Sequence, residues 1–126
     1  MQERRRQARK SLMAYTQVFD LYKGDLLGYM GDLNTSGAMV ISEKIIPEGS
    51  TMTLSMELPE LPGVTATRMV LPCRVAWCQP DISPDYYNIG FEFQQVKAEQ
   101  AKIIEAIMQH YEFKRDLPDY PIPPRS

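Results

Sequence analysis

The chain is 126 residues long, 44% hydrophobic and carries a formal net charge of −2, which fits one compact domain around a single core and leaves no room for a second. It has no apolar run of about 18 residues or more and its first segment is charged, so neither a membrane span nor a secretory signal is expected, and the protein reads as soluble and cytoplasmic. Cys73 and Cys78 are the only cysteines and His110 the only histidine, too few ligands for a structural zinc site.

The modest net charge hides an asymmetry. Arg4, Arg5, Arg6, Arg9 and Lys10 crowd into the first ten residues against one acid, Glu3, so the part of the molecule that seeks anions is its N-terminus. Adjacent guanidinium groups suit a compact, doubly charged nucleotide, because each offers a planar fork to phosphate oxygens and to guanine edges.

From Leu12 to Phe93 short apolar or alternating runs are punctuated by turn residues, the pattern of a meandering antiparallel sheet. Strands are expected around Ala14–Leu21 and Leu26–Leu33, joined by a tight turn at Lys23-Gly24-Asp25, and again at Ala38–Ser42. Gly31 to Gly37 lies between two of them. There Asp32 and Asn34 share a face of extended chain, and Gly37 permits a positive φ or a close approach by a ligand.

Pro47-Glu48-Gly49 reverses the chain into Thr51–Leu58, where Met52, Leu54, Met56 and Leu58 alternate with polar residues and form a core face. Leu61-Pro62-Gly63 supplies the next reversal. Leu71, Cys73, Val75 and Trp77 then fall on one side, which puts Trp77 in the core and, by the odd separation, points the two thiols to opposite faces. Tyr87, Ile89, Phe91 and Phe93 form the inward face of a partner strand across the Gln79–Asp85 loop, whose Pro80 and Pro84 suit a turn rather than a ladder. The count is about six strands.

After Val96 the period changes: Ala101, Ile104, Ile107, Met108 and Tyr111 recur at helical spacing. One amphipathic helix is expected to close an open end or edge of the sheet. The tail Asp116–Ser126 holds four of the ten prolines and reads as extended.

Nothing here resembles a catalytic centre. The single histidine suits the C-terminal end of a helix, the acid pairs Glu57/Glu60 and Asp81/Asp85 sit at turns, and no glycine-rich phosphate loop occurs.

Taken together, Arg5-x-x-x-Arg9, then Asp32-x-Asn34-x-x-Gly37, then Val75-x-Trp77 and Gly90-Phe91-x-Phe93 before a final helix resemble the PilZ family over nearly the whole chain. The resemblance implies a six-stranded antiparallel β-barrel with one C-terminal helix, and no enzyme activity. It implies cyclic di-GMP as ligand, held between an arginine loop and the outer surface of the barrel, with an output in motility, biofilm or virulence control.

By that analogy Arg5 and Arg9 grip phosphates and guanine faces, and Asp32 and Asn34 read a guanine edge beside Gly37. Arg4, just before the pair, implies two mutually stacked ligand molecules. The family usually has serine where this chain has Asn34. The expected layout is one domain over 1–113, with an arginine loop at 1–11, the barrel at 12–96, the helix at 97–113 and a Pro-rich tail at 114–126.

Two other classes use the same residues. One is a PilZ-like interaction module that contacts a protein partner without nucleotide. The other is an OB-like barrel for single-stranded nucleic acid, disfavoured because the net charge is negative and the basic residues outside the arm are scattered. Ordering of the arm by ligand, sensed by a protein partner, is the expected output, with no nucleic-acid polymer and no membrane insertion involved.

Overall fold

The computed structural model describes residues 11–13 and 16–113. Six strands close into an antiparallel barrel in the order β2, β3, β4, β7, β6, β5, with β5 returning to β2. They are β2 (Gln17–Asp20), β3 (Leu26–Leu33), β4 (Gly37–Ser42), β5 (Thr51–Glu57), β6 (Arg68–Pro80) and β7 (Tyr87–Phe93). Closure removes the unpaired strand edges that an open sheet of this size exposes.

The alternation in the sequence builds the interior as expected. Leu54, Leu71, Val75 and Ile89 are fully buried, while Arg68, Val70, Pro72 and Arg74 on the other face of β6 are exposed. Met52 packs at the margin of this core, and Met56 is 2% exposed, so the methionine-rich face of β5 is core.

Three register shifts interrupt the ladders: in β3 at Leu27, opposite Val18 and Phe19 of β2, again in β3 between Met30 and Asp32, and in β6 between Val75 and Trp77. Such bulges add one residue to one strand and sharpen its local twist. The third overturns an expectation. Val75 pairs with Phe91 but Trp77 pairs with the next residue, Gly90, so Ala76 is the extra residue and Trp77 turns to the outer surface instead of the core.

The same shift returns Cys78, paired with buried Ile89, to the inner side, where it packs against the core that contains Cys73. The two thiols therefore do not face opposite ways. Pro80 also departs from expectation: it is the last residue of β6, opposite Tyr87, at the end of the ladder where a missing N–H costs little.

The helix α1 (Ala98–His110) follows. Ile104 and Ile107 are its buried residues and join the barrel core. Gln100 fastens its first turn: its Oε1 accepts from Lys97 N–H at 2.9 Å, and its Nε2 donates to the Val70 carbonyl at 2.9 Å.

The helix ends earlier than its apolar stripe indicates. Tyr111 is extended, with φ −136° and ψ 154°, and opens β8 (Tyr111–Phe113), which pairs in parallel with β1 (Ser11–Met13). This two-stranded sheet lies outside the six-stranded barrel and was not expected; with it the described residues hold eight strands. Tyr111 also donates its hydroxyl to the Glu60 carbonyl at 2.9 Å, tying β8 to the β5–β6 connection. No described helix is long and apolar enough to cross a membrane.

Burial pushes the Cys73 thiol up to about 12, against a smaller lowering by a backbone hydrogen bond from Leu54. At pH 8 only about one part in ten thousand is thiolate, the reactive form. In the folded protein at that pH a thiol reagent is expected to label the half-buried Cys78, and Cys73 only after denaturation. Equal labelling rates in the native protein would show that the barrel interior is open at Cys73.

Candidate functional site

The groove that collects the sequence-predicted residues lies on the outer wall of the barrel, where the β3–β4 turn meets β6 and β7. It encloses about 430 Å³ and is lined by Asp32, Asn34, Gly37, Arg74, Trp77, Gly90 and Glu92 among others. Asp32, Asn34 and Gly37 are thus brought together as the sequence predicts, each for a different local reason.

Asn34 builds the turn. Its Oδ1 accepts the Ser36 N–H at 2.8 Å and the Gly37 N–H at 3.0 Å, and its own N–H donates to the Gly37 carbonyl at 2.9 Å. This is an Asx turn, in which a side-chain oxygen substitutes for a backbone acceptor. A serine hydroxyl can fill the same post, which accounts physically for asparagine at this position. The consequence is directional: with Oδ1 committed to the turn, the groups Asn34 has left to offer are its amide N–H donors, which suit acceptor atoms.

Gly37 has no positive φ, and the barrel itself requires a glycine there. A Cβ there would overlap the backbone carbonyl oxygen of Phe91, against which Gly37 packs as the first residue of β4. Asp32 sits half-buried in β3, its Oδ1 accepting the Leu33 N–H at 3.0 Å. It also lines a second depression of about 390 Å³ with Gly31, Leu33, Met108, Tyr111, Glu112 and Phe113. The two depressions share Asp32 and Leu33, so Asp32 stands on the ridge between them.

Two lining residues were not placed in this groove by the sequence. Trp77, 37% exposed, is turned outward by the bulge, and its indole lies against Gly90, where a Cβ would overlap the ring. The result is an aromatic surface in the groove, held in place from beneath by the absence of a side chain. Arg74 enters from β6 and is paired with Glu92 of β7, Nη2 to Oε1 at 2.8 Å. It is the only cation among the lining residues, which include the carboxylates of Asp32 and Glu92.

Arg4, Arg5 and Arg9 lie outside the described residues. What the structure fixes is the attachment of their segment. Ser11 begins β1, β1 pairs with β8, and β8 packs against β3 near Asp32. Ser11, the first described residue, therefore stands beside Tyr111, which lines the second depression together with Asp32. Among the described residues no three His, Cys, Asp or Glu side chains converge as metal ligands.

A closed barrel with a helix packed into its core and a polar, aromatic-floored groove on its outer wall is the architecture of a small ligand-binding module. The PilZ domain family model matches residues 3–110, and the chain belongs to the PilZ family. No curated protein and no solved structure matches it significantly.

The turn and the tryptophan can be tested apart. Asn34→Ser is expected to leave urea-unfolding stability within about 0.5 kcal/mol of wild type, whereas Asn34→Ala should cost about 1 kcal/mol by orphaning two turn N–H groups. Gly90→Ala is expected to lift the indole off β7. Because Trp77 is the sole tryptophan, its emission should move to longer wavelength, and an unchanged spectrum would refute the packing described.

Proposed function

We propose that this protein is a receptor module for cyclic di-GMP, acting by binding and not by catalysis. The observation that carries the reading is the single groove that gathers Asp32, the Asn34-capped turn, Gly37 and outward-facing Trp77, beside the anchor point of the arginine arm. Each element matches one part of the ligand. The arm residues Arg4, Arg5 and Arg9 supply positive charge for two phosphodiesters. Asp32 accepts from the N1–H and exocyclic amine of a guanine, and Asn34 donates to its acceptors. Trp77 offers a face on which a base can stack, an interaction with little sequence preference of its own.

The groove alone carries one more acid than base among its lining residues, so a dianionic ligand has little reason to settle there until the arm contributes its arginines. Binding and arm placement are coupled in this reading, and a protein partner can sense the arm in its bound arrangement. A stoichiometry of two stacked ligands, with Arg4 as the additional contact, belongs to the same proposal. So does a cytoplasmic setting, with motility, biofilm or virulence control as the output.

Isothermal titration of the full chain with cyclic di-GMP tests this, with Arg5→Ala, Arg9→Ala and a GTP control alongside. The expected result is saturable binding at roughly micromolar affinity or tighter, worth about −8 kcal/mol or more, abolished in both variants and absent with GTP. The molar ratio at saturation reads the stoichiometry. Absence of heat from folded protein would overturn the receptor reading in favour of an interaction module that needs no nucleotide.

A further inference from the structure

The groove contains an ion pair that the barrel does not need. Arg74 and Glu92 sit directly opposite each other on β6 and β7, their side chains 45% and 52% exposed. One guanidinium nitrogen meets one carboxylate oxygen, which leaves most of the donor fork unused. An exposed pair of this kind is screened by water and contributes little to stability.

Arg68, on the same strand, shows what a structural arginine looks like in this fold. Its Nε donates to Ser55 Oγ at 2.9 Å, its guanidinium lies 5.5 Å from the centre of the Phe19 ring, and it pairs with Glu57. Arg74 has none of those additional ties among the described residues. It stands instead on the wall of the groove that holds Asp32, Asn34 and Trp77.

We propose that Arg74 is a ligand-contacting residue of this groove, taking a phosphodiester oxygen or the O6/N7 edge of a guanine, and that Glu92 is its built-in competitor. The inference rests on the cyclic di-GMP reading and adds to it a fourth cationic contact, supplied by the barrel wall rather than the arm. A guanidinium that exchanges one water-screened carboxylate bond for a two-pronged contact with phosphate or guanine gains geometry and charge complementarity at once. Glu92 opposes that exchange in two ways, by holding Arg74 and by presenting a negative charge to an anionic ligand. The pair therefore sets the affinity of the groove without forming part of its floor.

The test is titration of the full chain with cyclic di-GMP, comparing wild type with Arg74→Gln, Arg74→Lys and Glu92→Gln, each checked for a wild-type melting curve. Arg74→Gln is expected to weaken binding about tenfold or more, and Arg74→Lys by less, because charge is kept and the fork is lost. Glu92→Gln is expected to tighten binding about threefold or more. Raising the sodium chloride concentration should weaken wild type more steeply than Arg74→Gln, since one cation–anion contact fewer is screened; a purely structural role would leave that slope unchanged.

If wild type binds and all three variants stay within twofold of it, Arg74 makes no contact and the inference fails while the receptor reading stands. If Glu92→Gln weakens binding as Arg74→Gln does, Glu92 positions Arg74 rather than competing for it, which overturns the proposed opposition. Failure of wild type to bind at all removes the receptor reading, and the inference with it.

Discussion

Closure of the barrel is the constraint from which the other features follow. Six short strands can meet as a ring only if they bend and stagger, and the ladders shift register at three places, two in β3 and one in β6. Each shift re-aims the side chains beyond it. In β6 the added residue, Ala76, sends Trp77 outward and returns Cys78 inward, so the device that lets the sheet curve also furnishes the groove with its aromatic surface. In β3 the second shift falls at Gly31, immediately before Asp32, and sets the face from which that carboxylate projects. Bulges are common where a barrel rim must redirect a side chain toward a ligand.

The glycines of the groove follow the same logic. Gly37 lets β4 approach the Phe91 carbonyl, and Gly90 leaves room for the indole. Their roles are steric and internal to the barrel, yet the groove depends on both. A sequence motif containing Asp32, Asn34 and Gly37 thus combines a carboxylate on the groove wall, a residue that shapes the turn and still offers donors, and one that strand packing requires.

Much of this was legible before the structure. Strict alternation in Thr51–Leu58 and Tyr87–Phe93 marked inward and outward faces correctly, because a half-buried strand must obey a period of two. What failed to show was any event that adds a single residue to a strand. Ala76 carries no mark of being unpaired, and without it Trp77 continues the inward series Leu71, Cys73, Val75. Tyr111 misled for a related reason: it completes the helical stripe after Ile107 and also begins the alternation Tyr111, Glu112, Phe113, and pairing with β1 decides between them. Arg74 and Glu92 were invisible as a pair because cross-strand register, not spacing along the chain, makes them neighbours.

The parallel pairing of β1 with β8 joins the two ends of the described chain, so among the described residues it has the greatest sequence separation of any strand pairing. Contacts of that kind pay the largest loop-closure entropy and wait in folding until the intervening chain has condensed. The ribbon has only three residues a side, and it rests on the barrel core through Met13, Tyr111 and Phe113; so short a ladder belongs toward the low end of local stability. The footing of the arginine arm is accordingly expected to assemble late and to open early. Synthesis of the chain must run past Phe113 before the arm has anything to stand on.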